Sequence, residues 1–363
     1  LSSKDATFIR KIKSWPLLLP VVALFLVMAV NILHDAAIGA NPLSFFTITL
    51  NQTTSSGTIL YGRIIDILNR GSEVAILALG MTLVVSSSAG TDISVGSVMS
   101  LSASFCCMLL AGYGVANTSE LAVPLIVGVL AAFAMGTLCG AFNGTLVAYF
   151  GIQPMVATLI LFSAARAIGL LLCNNLIVYV RNSSFGAFGA FTGILPTPII
   201  IAAICIAVVA LVLKNTSLGM YVQSVGINPK ASRIAGLNSK KIIFLTYVIC
   251  GFFAGVAGLV NSSRITSADS NNIGLYYEMD AILAVALGGN SLGGGKFNLA
   301  GSIIGAYTIQ AITTTLYALG VSTDQAPVYK AIIVVIIVAI QSAPLKAFFR
   351  KRNLKETKEA AKA

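Results

Sequence analysis

One histidine, His34, and twelve acidic residues are spread over 363 positions, and charged residues make up only 10% of the chain. Each shortage excludes something. Zinc sites draw on several imidazoles or thiolates at short spacing. With one imidazole the task would fall to cysteine, yet Cys106, Cys107, Cys139, Cys173, Cys205 and Cys250 lie in or beside apolar runs without such spacing. They read as small core residues, and no metal site is expected. There is no second histidine, no H-E-x-x-H and no Cys-His pairing. No catalytic residues are expected, and the chain does not read as an enzyme.

Apolar residues take up the difference: 57% of the chain is hydrophobic and the mean hydropathy is +0.91. A soluble domain carries about 25% charged residues. One aqueous core cannot bury so much apolar surface, so the lipid bilayer is the first expected partner. The net charge of +11 would suggest nucleic acid in a soluble protein, but its placement argues against that. Lys4, Arg10, Lys11 and Lys13 crowd the start, and Lys346, Arg350, Lys351, Arg352, Lys355, Lys358 and Lys362 the end. Lys214, Lys230, Arg233, Lys240 and Lys241 share one polar loop. Such clusters at the ends of spans are the positive-inside signature. The basic stretch to Lys13, the apolar Pro16–Val30 and Ala36-Ala37 imitate a secretory signal, but further spans follow and a retained helix is the better reading.

Spanning helices need about twenty apolar residues, fewer where a helix is broken. Ten segments qualify, at about 16–33, 59–86, 97–111, 121–150, 155–173, 197–213, 242–261, 281–288, 299–320 and 328–341. Residues 174–196 form an irregular segment, read as loop or partly re-entrant. An even count puts both termini and the loop 214–241 on one side, which the basic clusters make cytoplasmic. The expected organisation is a cytoplasmic tail at 1–15, a transmembrane domain at 16–342 and a basic cytoplasmic tail at 343–363. The fold class is an all-α polytopic membrane protein of about ten helices. AILA occurs at Ala75–Ala78 and again at Ala281–Ala284, each time before a glycine-bearing break. Gly90…Gly96-Ser97 recurs as Gly295…Gly301-Ser302. The match is either chance or the trace of two similar halves with helices broken at equivalent places.

The stretch LGGNSLGGGKFN, Leu287–Asn298, ends like a phosphate-binding loop at Gly295-Lys296. That loop reads G-x-x-x-x-G-K-[ST] between a strand and a helix. Here its first glycine is Asn290, its magnesium-binding hydroxyl is Phe297, and both flanks are apolar spans. Nucleotide binding is not expected there. The glycines suit a tight reversal at membrane depth, with Asn290, Ser291 and Asn298 satisfying the freed backbone groups.

In the basic loop, VGINPKASRIAGLNSKK (Val225–Lys241) reads as a short helix with Asn228 as N-cap, Pro229 at its first position and Gly236 at its end. It is either a helix that docks into a groove of another protein or a solvated linker. Charges inside spans are costly. Those at issue are Asp92 in the first break, Arg166 in the fifth span, and Glu278 with Asp280 before the eighth. Asn143 and Gln153 flank a cytoplasmic turn. The candidate pathway or gate residues are therefore Asp92, Asn143, Gln153, Glu278, Asp280 and Asn290. Asp92 and Asp280 have two open readings: pathway groups, or a turn brace and a cap for a helix beginning at Ala281.

GMTLVVSSSAGTDISVGSVMSLSA (Gly80–Ala103), VGINPKASRIAGLN and YEMDAILAVALGGNSLGGGKFNLAGSIIGA (Tyr277–Ala306) occur in this order. Together they resemble the signatures of sugar ABC-transporter permeases of the ribose/galactose/xylose type. LPTPIII, SADSNNIGLYYEMDAILAV and GKFNLAGS look most similar to galactofuranose-type permeases. The chain departs from the pattern at SSSAGTD, where a double glycine is usual, and at Ser232, where alanine is usual. The resemblance implies the membrane subunit of an ATP-driven monosaccharide importer in the bacterial inner membrane. Its partners would be a second permease, identical or homologous, a substrate-binding protein, and an ATP-binding subunit that holds ATP and magnesium. This chain itself would bind no cofactor. Asn228, Pro229, Lys230, Ala231, Ser232, Arg233 and Gly236 would form the coupling element to the ATPase. The rivals are a branched-chain amino-acid permease of the same machine and an ion-coupled carrier, for which the spans offer little charged relay.

Overall fold

A computed structural model describes residues 17–341 apart from 38, 40, 42, 43, 54–56 and 192. The expected tails, with their basic clusters, lie outside the described residues. The chain begins with α1 (Leu18–Ala37) and an antiparallel hairpin of β1 (Thr49–Thr53) and β2 (Gly57–Tyr61), with Thr49 opposite Tyr61. The hairpin corrects the sequence reading, which starts the second span at residue 59. The β-branched and aromatic GTILY pairs as a strand, and the helix α2 begins only at Arg63 and ends at Ser88.

Next come α3 (Val95–Ala111), β3 (Asn117–Thr118), α4 (Leu125–Ala148) and α5 (Pro154–Leu172), the last opening on a proline that needs no N–H partner. The irregular segment supplies β4 (Val178–Val180) and the one-turn α6 (Ser183–Gly186), capped by Asn182. β4 lies between β3, to which it is parallel, and β5 (Ser267–Ala268), to which it is antiparallel. The chain continues through α7 (Thr197–Asn215), α8 (Leu218–Ile227), α9 (Pro229–Ile234) and α10 (Ser239–Ile265). It closes with α11 (Tyr277–Leu287), α12 (Leu299–Ala318) and α13 (Ala326–Gln341).

Seven of these helices, α1, α2, α4, α5, α7, α10 and α12, are long and apolar enough to cross a membrane. The ten expected spans all coincide with helices, but α3, α11 and α13 are shorter, with 17, 11 and 16 residues. Two of the three, α3 and α11, adjoin the glycine-bearing breaks, as broken helices do.

α2 is the centre of the bundle. Its span is 94% buried, against 17% for α7 and 28% for α1 and α5, so the latter present most of their surface outward. The reason is compositional: from Val74 to Val85 α2 carries no charge on any face, and a helix apolar all round belongs inside. Two of its hydroxyls turn back on their own helix, with Ser72 donating to Leu68 O at 2.7 Å and Thr82 lying 2.5 Å from Ala78 O. α10, α12, α11 and α7 surround it, and α10 packs in turn on α3 and α4.

The α4–α10 contact is a seam of glycines. A Cβ on Gly136 would strike Gly251 O, one on Gly251 would strike Gly136 O, and one on Gly140 would strike Tyr247 O. Lipid offers no hydrophobic drive between helices, so backbones this close substitute van der Waals contact for it.

Candidate functional site

The first break, 89–94, follows Ala89, which ends α2 in the left-handed region at φ 51°. Asp92 Oδ1 accepts the Ser94 N–H at 2.9 Å and its hydroxyl at 2.6 Å, and Asn143 Nδ2 donates to Ser94 Oγ at 2.8 Å. Asp92 and Asn143 thus meet through Ser94, and Asp92 braces its own turn. Gln153 sits before α5, exposed, and its side chain does not cap that helix.

The second break, 288–298, is tied by its two asparagines. Asn290 Nδ2 donates to Val285 O at 3.0 Å and to Ser302 Oγ at 2.8 Å, while its Oδ1 accepts the Asn298 N–H at 2.6 Å. Asn298 caps α12 by accepting the Gly301 N–H at 3.1 Å and donates back to Gly288 O at 3.1 Å. Ser291 Oγ accepts the Gly293 N–H at 3.3 Å. All three polar residues expected to satisfy the reversal do so.

The break also holds the end of α2. Gly295 N–H donates to Ser86 O at 3.0 Å, and Ser86 Oγ to Lys296 O at 3.2 Å. Gly294 and Gly295 have φ of +87° and +79°, where a side chain is strained. A Cβ on Gly226, in the last turn of α8, would strike Ser86 O, and one on Gly295 would stand 2.6 Å from Ile227 Cγ1. Three segments far apart in sequence therefore meet at one junction: the end of α2, the glycine break and the base of the basic loop. The only local signal for it was a glycine inside the apolar LGMYVQSVGI, which the sequence reading left within a loop.

From that junction projects α9. Asn228 Oδ1 accepts the N–H of Lys230 at 3.1 Å and of Ala231 at 3.0 Å, Pro229 occupies the first position, and Gly236 has φ +87°. Ser239 Oγ donates to Pro229 O at 2.9 Å, pinning α9 to the start of α10. Lys230, Ala231 and Arg233 are exposed, and Ser232 is buried against the loop. Sequence reasoning missed Ile234, which is 90% exposed beside these cations.

At the opposite end of α2 lies a second cluster. Glu73 is fully buried; Arg264 Nη1 lies 3.1 Å from its Oε1, and Tyr277 Oη and Asn261 Nδ2 donate to its Oε2 at 2.7 and 2.8 Å. Lys330 Nζ bridges both oxygens of Asp280 at 2.7 and 2.9 Å. The cap reading of Asp280 is therefore corrected: α11 begins at Tyr277, and Asp280 stands inside its first turn, paired with Lys330. Glu278 lies elsewhere, against the first turn of α3, where a Cβ on Gly96 would strike its Oε2. Arg166 Nη1 donates to Ser270 O and Asn271 O at 2.8 Å each.

Beside Tyr277 and Asp280 opens a cavity of about 550 Å³, walled by α2, α10, α11, α12 and α13 and the segment before α11. Of the six candidate pathway residues, Asp280 alone lines it; the other five do not. Asp92 and Asn290 are braces of the two breaks, and Glu278 packs on α3. Arg70, Arg264, Gln310, Tyr317 and Lys330 line it without having been singled out; Arg264 and Lys330 find their partners, Glu73 and Asp280, far away in sequence.

The chain matches the family model described as branched-chain amino acid transport system / permease component over residues 63–341. It is 39% identical over 344 residues to the galactofuranose transporter permease protein of Escherichia coli (strain K12), covering 94% of each chain. The fructose import permease protein of Bifidobacterium longum (strain NCC 2705) is 35% identical, with 98% of this chain and 97% of that one covered. The ribose import permease protein of Escherichia coli (strain K12) is 34% identical, with 81% of this chain and 90% of that one covered. No solved structure matches the chain.

Proposed function

The chain belongs to the family of branched-chain amino acid transport system / permease components, is a multi-pass inner-membrane protein and not an enzyme, and on that basis we propose that it conducts a monosaccharide inward as the membrane subunit of an ATP-driven importer. The family description names amino acids, whereas each relative cited above is named for a sugar. The 39% identity makes galactofuranose the first sugar to test. A second permease, a substrate-binding protein and an ATP-binding subunit carrying ATP and magnesium complete the machine. The termini and the loop 214–241 face the cytoplasm.

The observation that carries the coupling role is Ile234. A large aliphatic side chain 90% exposed on a capped basic helix, outside every apolar span, fits a protein groove better than water. Movement of α9 in that groove would reach the end of α2 and the glycine break through the Gly226–Ser86–Gly295 junction. Ile234→Asp in the complete transporter should lower sugar uptake at least about tenfold and release the ATP-binding subunit on purification, as loss of a hot-spot side chain does. Uptake and co-purification within twofold of the wild type would remove the role. Competition between labelled galactofuranose, fructose or ribose and leucine separates the sugar reading from the amino-acid one.

A further inference from the structure

We propose that the cavity beside Tyr277 and Asp280 is a binding site for a neutral polyhydroxylated ring. The proposal rests on the sugar reading and names the residues that would hold the sugar. At about 550 Å³ the cavity lies in the range of small-molecule sites, roughly 300–1,000 Å³.

Its charges are already spent on one another. Lys330 pairs with Asp280 at 2.7 Å, Arg264 with Glu73 at 3.1 Å, and Arg70 with Asp66 at 3.8 Å. Every cation on the wall therefore faces a carboxylate, and Asp324 at the rim adds a further negative charge. Two helices start on the wall: α11 carries Glu278 and Asp280 in its first turn, and α13 starts at Ala326 without an acidic residue there. The pairing of every cation, with Asp324 left over, disfavours an incoming carboxylate, as any free amino acid would bring. Nor is there a lining for a branched aliphatic side chain, since the aliphatic groups are limited to Leu275, Ala326 and Pro327.

What remains suits hydroxyls. The buried Gln310 makes only a long 3.4 Å hydrogen bond to Thr314, so its amide has donor and acceptor capacity to spare. Thr313 Oγ1, whose hydrogen goes to Ile309 O at 3.1 Å, can still accept, and Asn272, which gives one amide hydrogen to Asp269 at 2.6 Å, keeps its other hydrogen and its oxygen. At the mouth stand two half-exposed rings, Tyr276 at 45% and Tyr317 at 44%. Such amphipathic rings combine an apolar face for ring C–H groups with a hydroxyl at the tip. The site also adjoins α11, the short helix before the glycine break, and transporters place their binding sites at broken helices.

The test uses the complete transporter in right-side-out membrane vesicles, with Thr313→Cys as reporter in a Cys205→Ser background. The other five native cysteines are buried. Labelling by a membrane-impermeant maleimide should slow at least threefold in the presence of millimolar galactofuranose, fructose or ribose, and should be unaffected by leucine. Gln310→Ala should lower uptake of the transported sugar about five- to tenfold, the effect of losing one or two hydrogen bonds, with membrane abundance unchanged by immunoblot. Labelling insensitive to every sugar, with Gln310→Ala uptake at the wild-type rate, overturns the cavity while wild-type sugar uptake keeps the transport reading. Protection by leucine instead of sugar overturns the ligand class. Wild-type uptake of leucine and of no sugar overturns the reading beneath it.

Discussion

Replacing Gly226 with alanine adds one methyl group to the last turn of α8. By helix propensity alone this should stabilise the protein by up to about 1 kcal/mol. The surroundings reverse the sign. The new Cβ would strike Ser86 O and stand 2.7 Å from Gly295 N, whose N–H donates to that same oxygen at 3.0 Å. Both obstacles are backbone, so no rotamer change relieves them and the junction must open. Overpacking of this kind costs about 1–3 kcal/mol, and the strained hydrogen bond about 1 kcal/mol more. Net of propensity, about 1–3 kcal/mol is lost, or roughly 5- to 150-fold in any equilibrium that needs the junction closed. The assay is sugar uptake and ATP hydrolysis by the complete transporter in proteoliposomes. We expect uptake to fall at least about fivefold while the ATP-binding subunit still co-purifies, because the exposed face of α9 is untouched. Gly219→Ala is the control in the same helix: its Cβ meets only Leu213 Cδ2 at 3.4 Å, so propensity should win and stability hold or rise. If Gly226→Ala and Gly219→Ala behave alike in uptake and melting temperature, the junction carries no coupling.

Asp280→Asn leaves Lys330, whose side chain is 13% exposed, without its counter-charge. Loss of about 2–3 kcal/mol is expected in detergent melts, somewhat below the cost for a fully buried pair, and Lys330→Met in the same chain should recover part of it. A double variant no more stable than the single one would contradict the pairing. Asn290→Ala removes the hydrogen bonds that close the second break, worth about 2–3 kcal/mol together. Proteolytic cleavage within residues 291–296, mapped by mass spectrometry, should accelerate, and an unchanged cleavage rate would deny Asn290 its bracing role.

Local signals carried most of the fold. Proline and apolar run place α5 at 155–173 from sequence and Pro154–Leu172 in the structure, and α7 at 197–213 against Thr197–Asn215. The caps of α9 were legible because Asn228, Pro229 and Gly236 act within a few residues of themselves. The two AILA copies lie in buried helices, α2 and α11, that each precede a break. The hairpin was not legible, because strand pairing depends on a partner that a span template ignores. Neither was α8, whose Gln223 and Ser224 interrupt the apolar run. The cavity was hidden for a stronger reason. Tyr277 reaches Glu73 across 204 residues and Lys330 reaches Asp280 across 50, and no single-chain pattern says which lone charge will meet which.

The glycine seam between α4 and α10 has a mechanical consequence. Gly136 and Gly140 on one helix, and Gly251 and Gly255 on the other, repeat at a spacing of one helical turn. A slide of less than that turn, about 5.4 Å, brings a Cβ into a notch with room only for hydrogen. The two helices are keyed, like a shaft in its slot, and cannot shear past each other by small steps. A second keyed pair lies on the far side of α2, where a Cβ on Gly305 of α12 would strike Ala284 O of α11, so the two pairs would move as blocks, with the Gly295 N–H on Ser86 O latching the second to α2.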